Sequence, residues 1–430
     1  MTSTEKETVS EPGTAQPGTA PWRRAEASRL IAFGRAAALP DGGFGWLDVN
    51  GGIDVSQPRP LYINARMTYA FALAHLAGAA GADSLVSSGL QALGRQYADA
   101  ENGGWFSALD QSGNVIDSAK ANYAHAHTLL AASSAVAAGI PGADAALAAA
   151  AATIEQHFWS DAEGSALESW NADFSELEPY RGANSNMHSV EAYLAAGDVT
   201  GNPVWAARAA SIATRLIDEQ ARAHAWRIPE HYDKNWQPRP DYNADRRDDP
   251  FRPYGTTPGH SFEWARLLVT LEAALPAPPA WLPEAATALF DRAAADAWQR
   301  DGHPGLLYTV DGDGQPVVTS RLHWVACEAV LAADALHRRT GEERFATAAR
   351  RWWAEIDRYF LDRKNGGWWQ ELAPDMTPAT STWSGKPDLY HSYQALLLPS
   401  LPLSPTAATA LARRGPGGLP GDAGHDQSSA

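Results

Sequence analysis

Apolar residues recur at helical spacing in long stretches of this chain, separated by short segments rich in glycine, acidic and aromatic residues. The stretches "RMTYAFALAHLAGAA", "ANYAHAHTLLAASSAVAA", "NMHSVEAYLAAGDVTG", "RLHWVACEAVLAADALHRRTG" and "YHSYQALLLP" read as helices. So does "TTPGHSFEWARLLVTLEAAL" from Thr256, where Phe262, Leu267, Leu268 and Leu271 follow a Pro-Gly turn. Alanine-rich segments such as "GADAALAAAAATIEQHF" supply helical partners.

The intervening segments resemble one another. Six copies begin at Gly42, Gly103, Glu163, His224, His303 and Gly366, each with an acidic turn followed by polar residues leading into a helix. With Gly43, Gly104, Gly164, Trp226, Gly305 and Gly367 as markers, the copies recur at near-equal steps, except for a longer one between Trp226 and Gly305. That long step contains the proline-rich insertion "ALPAPPAWLP". A fixed period of this size is the mark of a repeat architecture, with room for two helices and a hairpin-like turn per unit. Six helix pairs make either an open solenoid or a closed ring. A solenoid needs polar capping repeats, and neither end shows one. The pattern therefore predicts an all-α fold, an (α/α)6 barrel, as a single domain over residues 21–403. The Thr/Glu/Pro/Gly-rich residues 1–20 and the segment 404–430 have the composition of disordered tails.

Each incoming helix carries a polar or ionisable group near its start: Arg66, Tyr123 with His127, His188, His260 with Glu263, Trp324 with Glu328, and His391. Arg66, His127 and His188 are evenly spaced, each one repeat after the last. In a ring, equivalent positions converge on the axis, so these groups are expected to face one central pocket. Singly, each has a plainer reading. A histidine at a helix start can be a cap, and Glu191 or Glu263 can simply pair with the histidine three residues before it. Trp324 can be core and Arg66 an ion-pair partner. Repetition at one phase of the period favours the shared pocket.

Composition narrows the chemistry. With 34 Lys and Arg against 50 Asp and Glu, the net charge is −16 and no basic cluster stands out, which argues against nucleic acid as a partner. A single cysteine, Cys327, excludes an intramolecular disulfide and fits a reducing compartment. The N-terminal residues lack a signal-peptide core, and no apolar run approaches the roughly 20 residues of a membrane span. A cytoplasmic protein is expected, with no membrane partner. His125 and His127 lie two apart on a helix and diverge, and no His-Glu-x-x-His or cysteine cluster is present. No metal is expected, and no glycine-rich loop stands in a phosphate-binding context.

The segments "NSNMHSVEAYL", "PGHSFEWARLL", "HWVACEAV" and "KPDLYHSYQALLLP" resemble the N-acylglucosamine 2-epimerase superfamily, and within it the aldose–ketose isomerase branch. The resemblance covers roughly residues 22–402 and implies the same (α/α)6 barrel. It implies that His260 and His391 are the catalytic histidines, and that Arg66, Tyr123, Asn184, His188, Glu263, Trp324 and Glu328 line a monosaccharide pocket. No cofactor is implied. The expected activity is interconversion of D-mannose and D-fructose through a cis-enediolate, with His391 moving the proton between C2 and C1. His260, oriented by Glu263, opens the sugar ring. Histidine suits this work because its unperturbed pKa lies near neutrality. The alternatives are isomerisation of sulfoquinovose, with Arg246, Arg247, Arg252 or Gln370 receiving the sulfonate, or another 2-epimerase reaction. The arginines can equally pair with Asp245, Asp248 and Asp249 in a lid loop. Two further rivals are an inverting glycoside hydrolase using Glu263 and Glu328, and a non-catalytic sugar-binding protein.

Overall fold

The computed structural model describes residues 15–415. Its helices are α1 (Ala20–Gly34), α2 (Leu61–Leu76), α3 (Ala82–Ala92), α4 (Asn122–Ala137), α5 (Ala143–Thr153), α6 (Ala183–Thr200), α7 (Pro203–Ala213), α8 (Pro258–Ala274), α9 (Leu282–Ala297), α10 (His323–Thr340), α11 (Glu343–Glu355), α12 (Tyr390–Leu397) and α13 (Ala407–Arg414). The even-numbered helices α2 to α12 form an inner ring, each packed on the next, with α12 returning to α2. Helices α3, α5, α7, α9 and α11 lie outside, each against the inner helix before it, and α1 completes the outer layer against α12. This is the (α/α)6 barrel.

Sequence pattern separates the two layers. Inner helix α2 is buried from Leu61 to Ala74, on every face, as a helix apolar all round must be. Outer helix α3 buries only Ala82, Val86, Gly89 and Ala92, one stripe at helical spacing. Outer helix α11 likewise buries Phe345, Trp352 and Trp353.

The turn segments all lie at the N-terminal ends of the inner helices, where main-chain pairing links each repeat to the next. Arg59–Pro60, leading into α2, pairs antiparallel with Ala108–Leu109 of the second turn. Lys120–Ala121 pairs with Ser169–Trp170, Tyr180–Gly182 with His231–Asp233, and Arg321–Leu322 with Glu371–Leu372. Thr256 and Val310 exchange N–H···O bonds of 2.8 and 3.0 Å. Lys386 N–H donates to the Leu47 carbonyl at 2.8 Å, which joins the sixth repeat to the first.

An ion pair on a buried base braces five of the six turns. The acidic residue of the turn reaches a base just ahead of the inner helix: Asp41–Arg59 at 2.9 Å, Asp99–Lys120 at 2.8 Å, Glu163–Arg181 at 2.8 Å, Asp301–Arg321 at 2.6 Å and Asp362–Lys386 at 2.6 Å. All five bases are buried. In the fourth turn the polarity is reversed, and Arg227 pairs with Asp296 of α9 at 2.7 Å.

The C-terminal boundary differs from expectation. Residues 404–415 are not a tail. Thr406 donates from its backbone N–H and its hydroxyl to Asp198 Oδ2, both at 2.6 Å. Ala407, Ala408, Ala410 and Leu411 of α13 are buried, and the helix packs on α2, α4 and α6. A helix this short carries little local signal, because its stability comes from tertiary packing. Residues 15–20 of the expected N-terminal tail lead into and begin α1, with Arg23 donating to the Gly18 carbonyl. Residues 1–14 and 416–430, the rest of the expected tails, lie outside the described residues.

The braces make a test of stability. Replacing Lys386 by methionine strands the Asp362 carboxylate in the interior and should cost about 3–5 kcal/mol, read by urea unfolding. Burial works against ionisation of Asp99, but the Lys120 ammonium and the N–H groups of Asn102 and Glu101 lower its pKa to about 2. The stability this provides is present above the unfolded value, roughly 3.9, and should be lost as pH falls from there toward 2.

Candidate active site

The inner-helix starts line a solvent-open cavity whose empty space, including its open mouth, is about 610 Å³. Arg66 of α2, Tyr123 of α4, Asn184 and His188 of α6, His260 and Glu263 of α8, Trp324 of α10 and His391 of α12 all line it. Of the residues expected there, His127 and Glu328 do not. His127 lies behind Arg66, accepting a hydrogen bond from its Nε. Glu328 is fully buried behind His391 and acts on the cavity through that side chain.

Arg66 crosses one wall. Its Nε donates to His127 Nε2 at 3.0 Å, its Nη2 to the Tyr123 hydroxyl at 2.6 Å, and its Nη1 to Asp388 Oδ2 at 3.3 Å. His127 donates from Nδ1 to the Tyr123 carbonyl at 2.8 Å, which fixes it as a neutral acceptor at Nε2. Burial, then Arg66, hold its pKa well below the usual value. His125, two residues earlier, points away and accepts from Trp105 N–H at 3.2 Å. Burial opposes the charge on Arg66, but the neighbouring Tyr123 and Asp388 raise its pKa, so it stays cationic.

His260 and His391 face the cavity on either side of Trp324, with ring centroids 5.2 and 5.6 Å from the indole. Each imidazole is held at Nδ1 by a carboxylate, leaving Nε2 as the free nitrogen. His391 bonds Glu328 Oε1 at 2.9 Å. His260 bonds Glu230, at 3.0 and 2.9 Å to its two oxygens. The expectation that Glu263 orients His260 is therefore corrected. Glu263 lies beside His188 instead, with its Oε1 3.8 Å from Nδ1. The i, i+3 spacing puts Glu263 on the same helix face as His260, but the segment just before the His231–Asp233 strand is bonded to Thr256 and Thr257 at the start of α8 and brings Glu230 closer. Burial, and then Arg66, push the His391 pKa well below that of a free imidazole.

Beneath the cavity, one guanidinium serves three carboxylates. Arg266 Nε donates to Glu328 Oε2 at 2.9 Å and Nη1 to Glu191 Oε1 at 3.3 Å, while Nη2 stands 3.5 Å from Glu263 Oε1. Glu191 also accepts a very short hydrogen bond from the Tyr390 hydroxyl. Neither Glu191 nor Glu263 is a simple pair for the histidine three residues before it. Burial, then the nearby Glu328 carboxylate, raise the Glu263 pKa well above the ordinary range, so Glu263 is the neutral acid of the group. His188, Glu191 and Glu263, or Glu263, Glu328 and His391, bring donor atoms within 4.8 Å of one another, as metal ligands would. Arg266 already supplies positive charge among these carboxylates, and a protonated Glu263 is a poor ligand.

The loop before α8 differs in its pairing from expectation. Arg246 approaches Asp249 at 3.6 Å, but Arg247 donates to the Ala244 carbonyl. Arg252 forms a two-pronged pair with Glu178 at 2.6 and 2.9 Å. None of the three lines the cavity; Phe251 does, and so do Gln370, Trp383 and Asp388.

Glu230, His323 and Asp388 are not among the residues expected from the sequence. A signal for Glu230 exists. Ser107, Glu168 and Glu230 follow one another at the repeat spacing, and the carbonyl of each accepts the first N–H of an inner helix. Glu168 bonds Ser185 and Gly182 N–H in its repeat, as Glu230 bonds His260 and Thr257 N–H in the next.

A barrel of this kind, with paired histidines around an arginine-walled cavity, belongs among sugar-active enzymes. The chain is a member of the N-acylglucosamine 2-epimerase (GlcNAc 2-epimerase) family, whose profile matches residues 42–395. It is 52% identical over 403 residues to a D-mannose isomerase of Thermobifida fusca, covering 94% of this chain and 99% of the relative. A D-mannose isomerase of Pseudomonas cannabina pv. alisalensis is 48% identical over 395 residues, covering 91% and 95%. A crystal structure of a D-mannose isomerase superposes with a TM-score of 0.83 at 29% identity, over 89% of this chain and 98% of that one.

A Cβ on Gly259 would stand 2.4 and 2.6 Å from two ring atoms of Trp324. Gly259→Ala should therefore shift the indole between the two histidines and lower kcat by about ten- to a hundredfold with the fold retained, measurable by steady-state kinetics alongside circular dichroism. If His391 is the essential base, its depressed pKa keeps it neutral below pH 6.5. The acid limb of kcat/KM should then fall below the value of about 6.5 for a free imidazole.

Proposed function

We propose that this protein is a D-mannose isomerase that interconverts D-mannose and D-fructose by proton transfer through a cis-enediolate. The observation that carries this reading is the pair of carboxylate-held histidines across Trp324, both with Nε2 free at one cavity beside a cationic Arg66. The relatives named D-mannose isomerase support the substrate.

His260 acts first, taking the O1 proton and returning one to O5 so that the pyranose ring opens. His391 Nε2 then removes the C2 proton. The C2–H electron pair forms the C1–C2 double bond, and the carbonyl pair moves onto O1. Arg66 stands where that negative charge develops, and fixed donors of this type carry much of the catalysis in proton abstraction next to a carbonyl. His391 delivers its proton to C1, while the O2 proton passes to O1 by way of His260. Glu328 and Glu230 steady the imidazolium forms through Nδ1. Glu263, as a neutral acid, donates to a sugar oxygen, and no step requires a metal.

Two rivals lose support from the same geometry. An inverting glycoside hydrolase needs two carboxyl groups flanking the bond that breaks, but Glu328 is sealed behind His391 and Asp388 is engaged by Arg66. Sulfoquinovose needs cationic or amide groups for its sulfonate, and of the four candidates Arg246, Arg247 and Arg252 are outside the cavity, leaving only the neutral Gln370 amide on its wall. The fully buried free thiol of Cys327 is compatible with a cytoplasmic setting.

Proton NMR of D-mannose incubated with the purified protein and a chelator should show D-fructose appearing. Mannose left unchanged under conditions where the protein is folded would overturn the proposal.

A further inference from the structure

His323 is the first residue of α10 and stands on the cavity wall beside Gln370 and Asp388. Its side chain is 3% exposed. Its backbone N–H donates to the Gln370 carbonyl at 3.0 Å, and its Nδ1 faces the same oxygen at 3.4 Å. A lone pair on Nδ1 would oppose that carbonyl, so the proton belongs on Nδ1 and Nε2 is an acceptor. Among the described residues, Nε2 is buried with no hydrogen-bond partner.

An unmet acceptor in the interior costs on the order of 1–3 kcal/mol, so such atoms are normally satisfied by something. The catalytic scheme leaves this one unused. His391 is engaged through Glu328, and its ring centroid lies 6.4 Å from that of His323. Arg66 is committed to His127, Tyr123 and Asp388.

We propose that His323 Nε2 is a substrate-reading group, accepting a hydrogen bond from one hydroxyl among C3, C4 and C6 of the sugar, with the Gln370 amide beside it. The C1 and C2 oxygens are excluded because they must face Arg66, His260 and His391. Burial pushes the His323 pKa down to about 4, so Nε2 remains an acceptor throughout the neutral range. A neutral acceptor next to the Asp388 carboxylate selects an uncharged hydroxyl and rejects an anionic substituent at that position. The inference rests on the isomerase reading above and adds a specificity determinant to it.

The test is a double-mutant cycle between protein and substrate. The wild type and His323→Phe are compared on D-mannose and on its 3-, 4- and 6-deoxy analogues. In the wild type, one analogue should lose about tenfold or more in kcat/KM, the size expected when a site built for a hydroxyl meets a substrate lacking it. In His323→Phe, mannose itself should fall, and the extra penalty for that one analogue should disappear. His323→Asn, which keeps an acceptor, should recover part of the discrimination. Should either variant not fold, the ¹⁵N resonance of His323 Nε2 in the wild type should move upfield when D-mannose is added, as it does when a hydroxyl bonds to it. Analogue penalties identical in wild type and His323→Phe, or an Nε2 resonance indifferent to mannose, would overturn the assignment. Failure of the wild type to turn over mannose at all would instead overturn the isomerase reading.

Discussion

The ring closes through a main-chain hydrogen bond, from Lys386 N–H to the Leu47 carbonyl, and the geometry of the cavity depends on it. The closure is reinforced from several sides. Trp46 Nε1 donates to the Ser384 carbonyl at 3.1 Å, and Lys386 Nζ reaches Asp362 and the Gly366 carbonyl. Gly385 adopts φ of 68°, and a Cβ there would stand 2.2 Å from the Leu47 oxygen, so only glycine suits the junction. Two residues past Lys386, Asp388 pairs with Arg66 of the first inner helix and accepts the Tyr390 N–H that starts α12. Closure thus fixes Arg66 and His391 relative to each other, although they belong to the first and last inner helices of the chain.

The same rung recurs between successive repeats, which explains how an α-helical ring can hold a precise site. Each inner helix begins on a strand-like lead-in bonded to the following turn. The first turns of the helices are therefore the most firmly placed parts of the barrel. Side chains on those turns inherit that placement, and the carboxylates Glu168 and Glu230 extend it from main chain to side chain. The deeper group of Arg266 with Glu191, Glu263 and Glu328 sets protonation rather than position, leaving one acid neutral and one carboxylate against His391.

The barrel and most of the cavity wall were legible in the sequence because both obey one repeat period. Arg66 and His188 recur at one phase, as the sixth residues of α2 and α6, while His260 and His391 fall in the first turns of α8 and α12, and a ring brings the starts of its inner helices to one place. What was illegible depends on side chains that cross between repeats. Glu263 is local to His260 and looks like its partner, whereas Glu230 lies 30 residues earlier and reaches His260 only because its segment is bonded to the start of α8. Glu328 looks like a cavity residue by spacing, but the convergence of α10 and α12 seals it behind His391. Helix α13 escaped because its short alanine-rich sequence gains its stability from the ends of α2, α4 and α6, and composition cannot report that surface.

The central claim is that His391 carries a proton from C2 to C1 through an enediolate on one face of the sugar. Conversion of [2-²H]mannose in ordinary water, followed by ²H and ¹³C NMR of the fructose formed, measures this directly. The account predicts deuterium at only one of the two C1 positions, with part of the label lost to solvent during transfer. Complete retention of the label at C1 with no exchange would indicate a hydride shift and contradict the account.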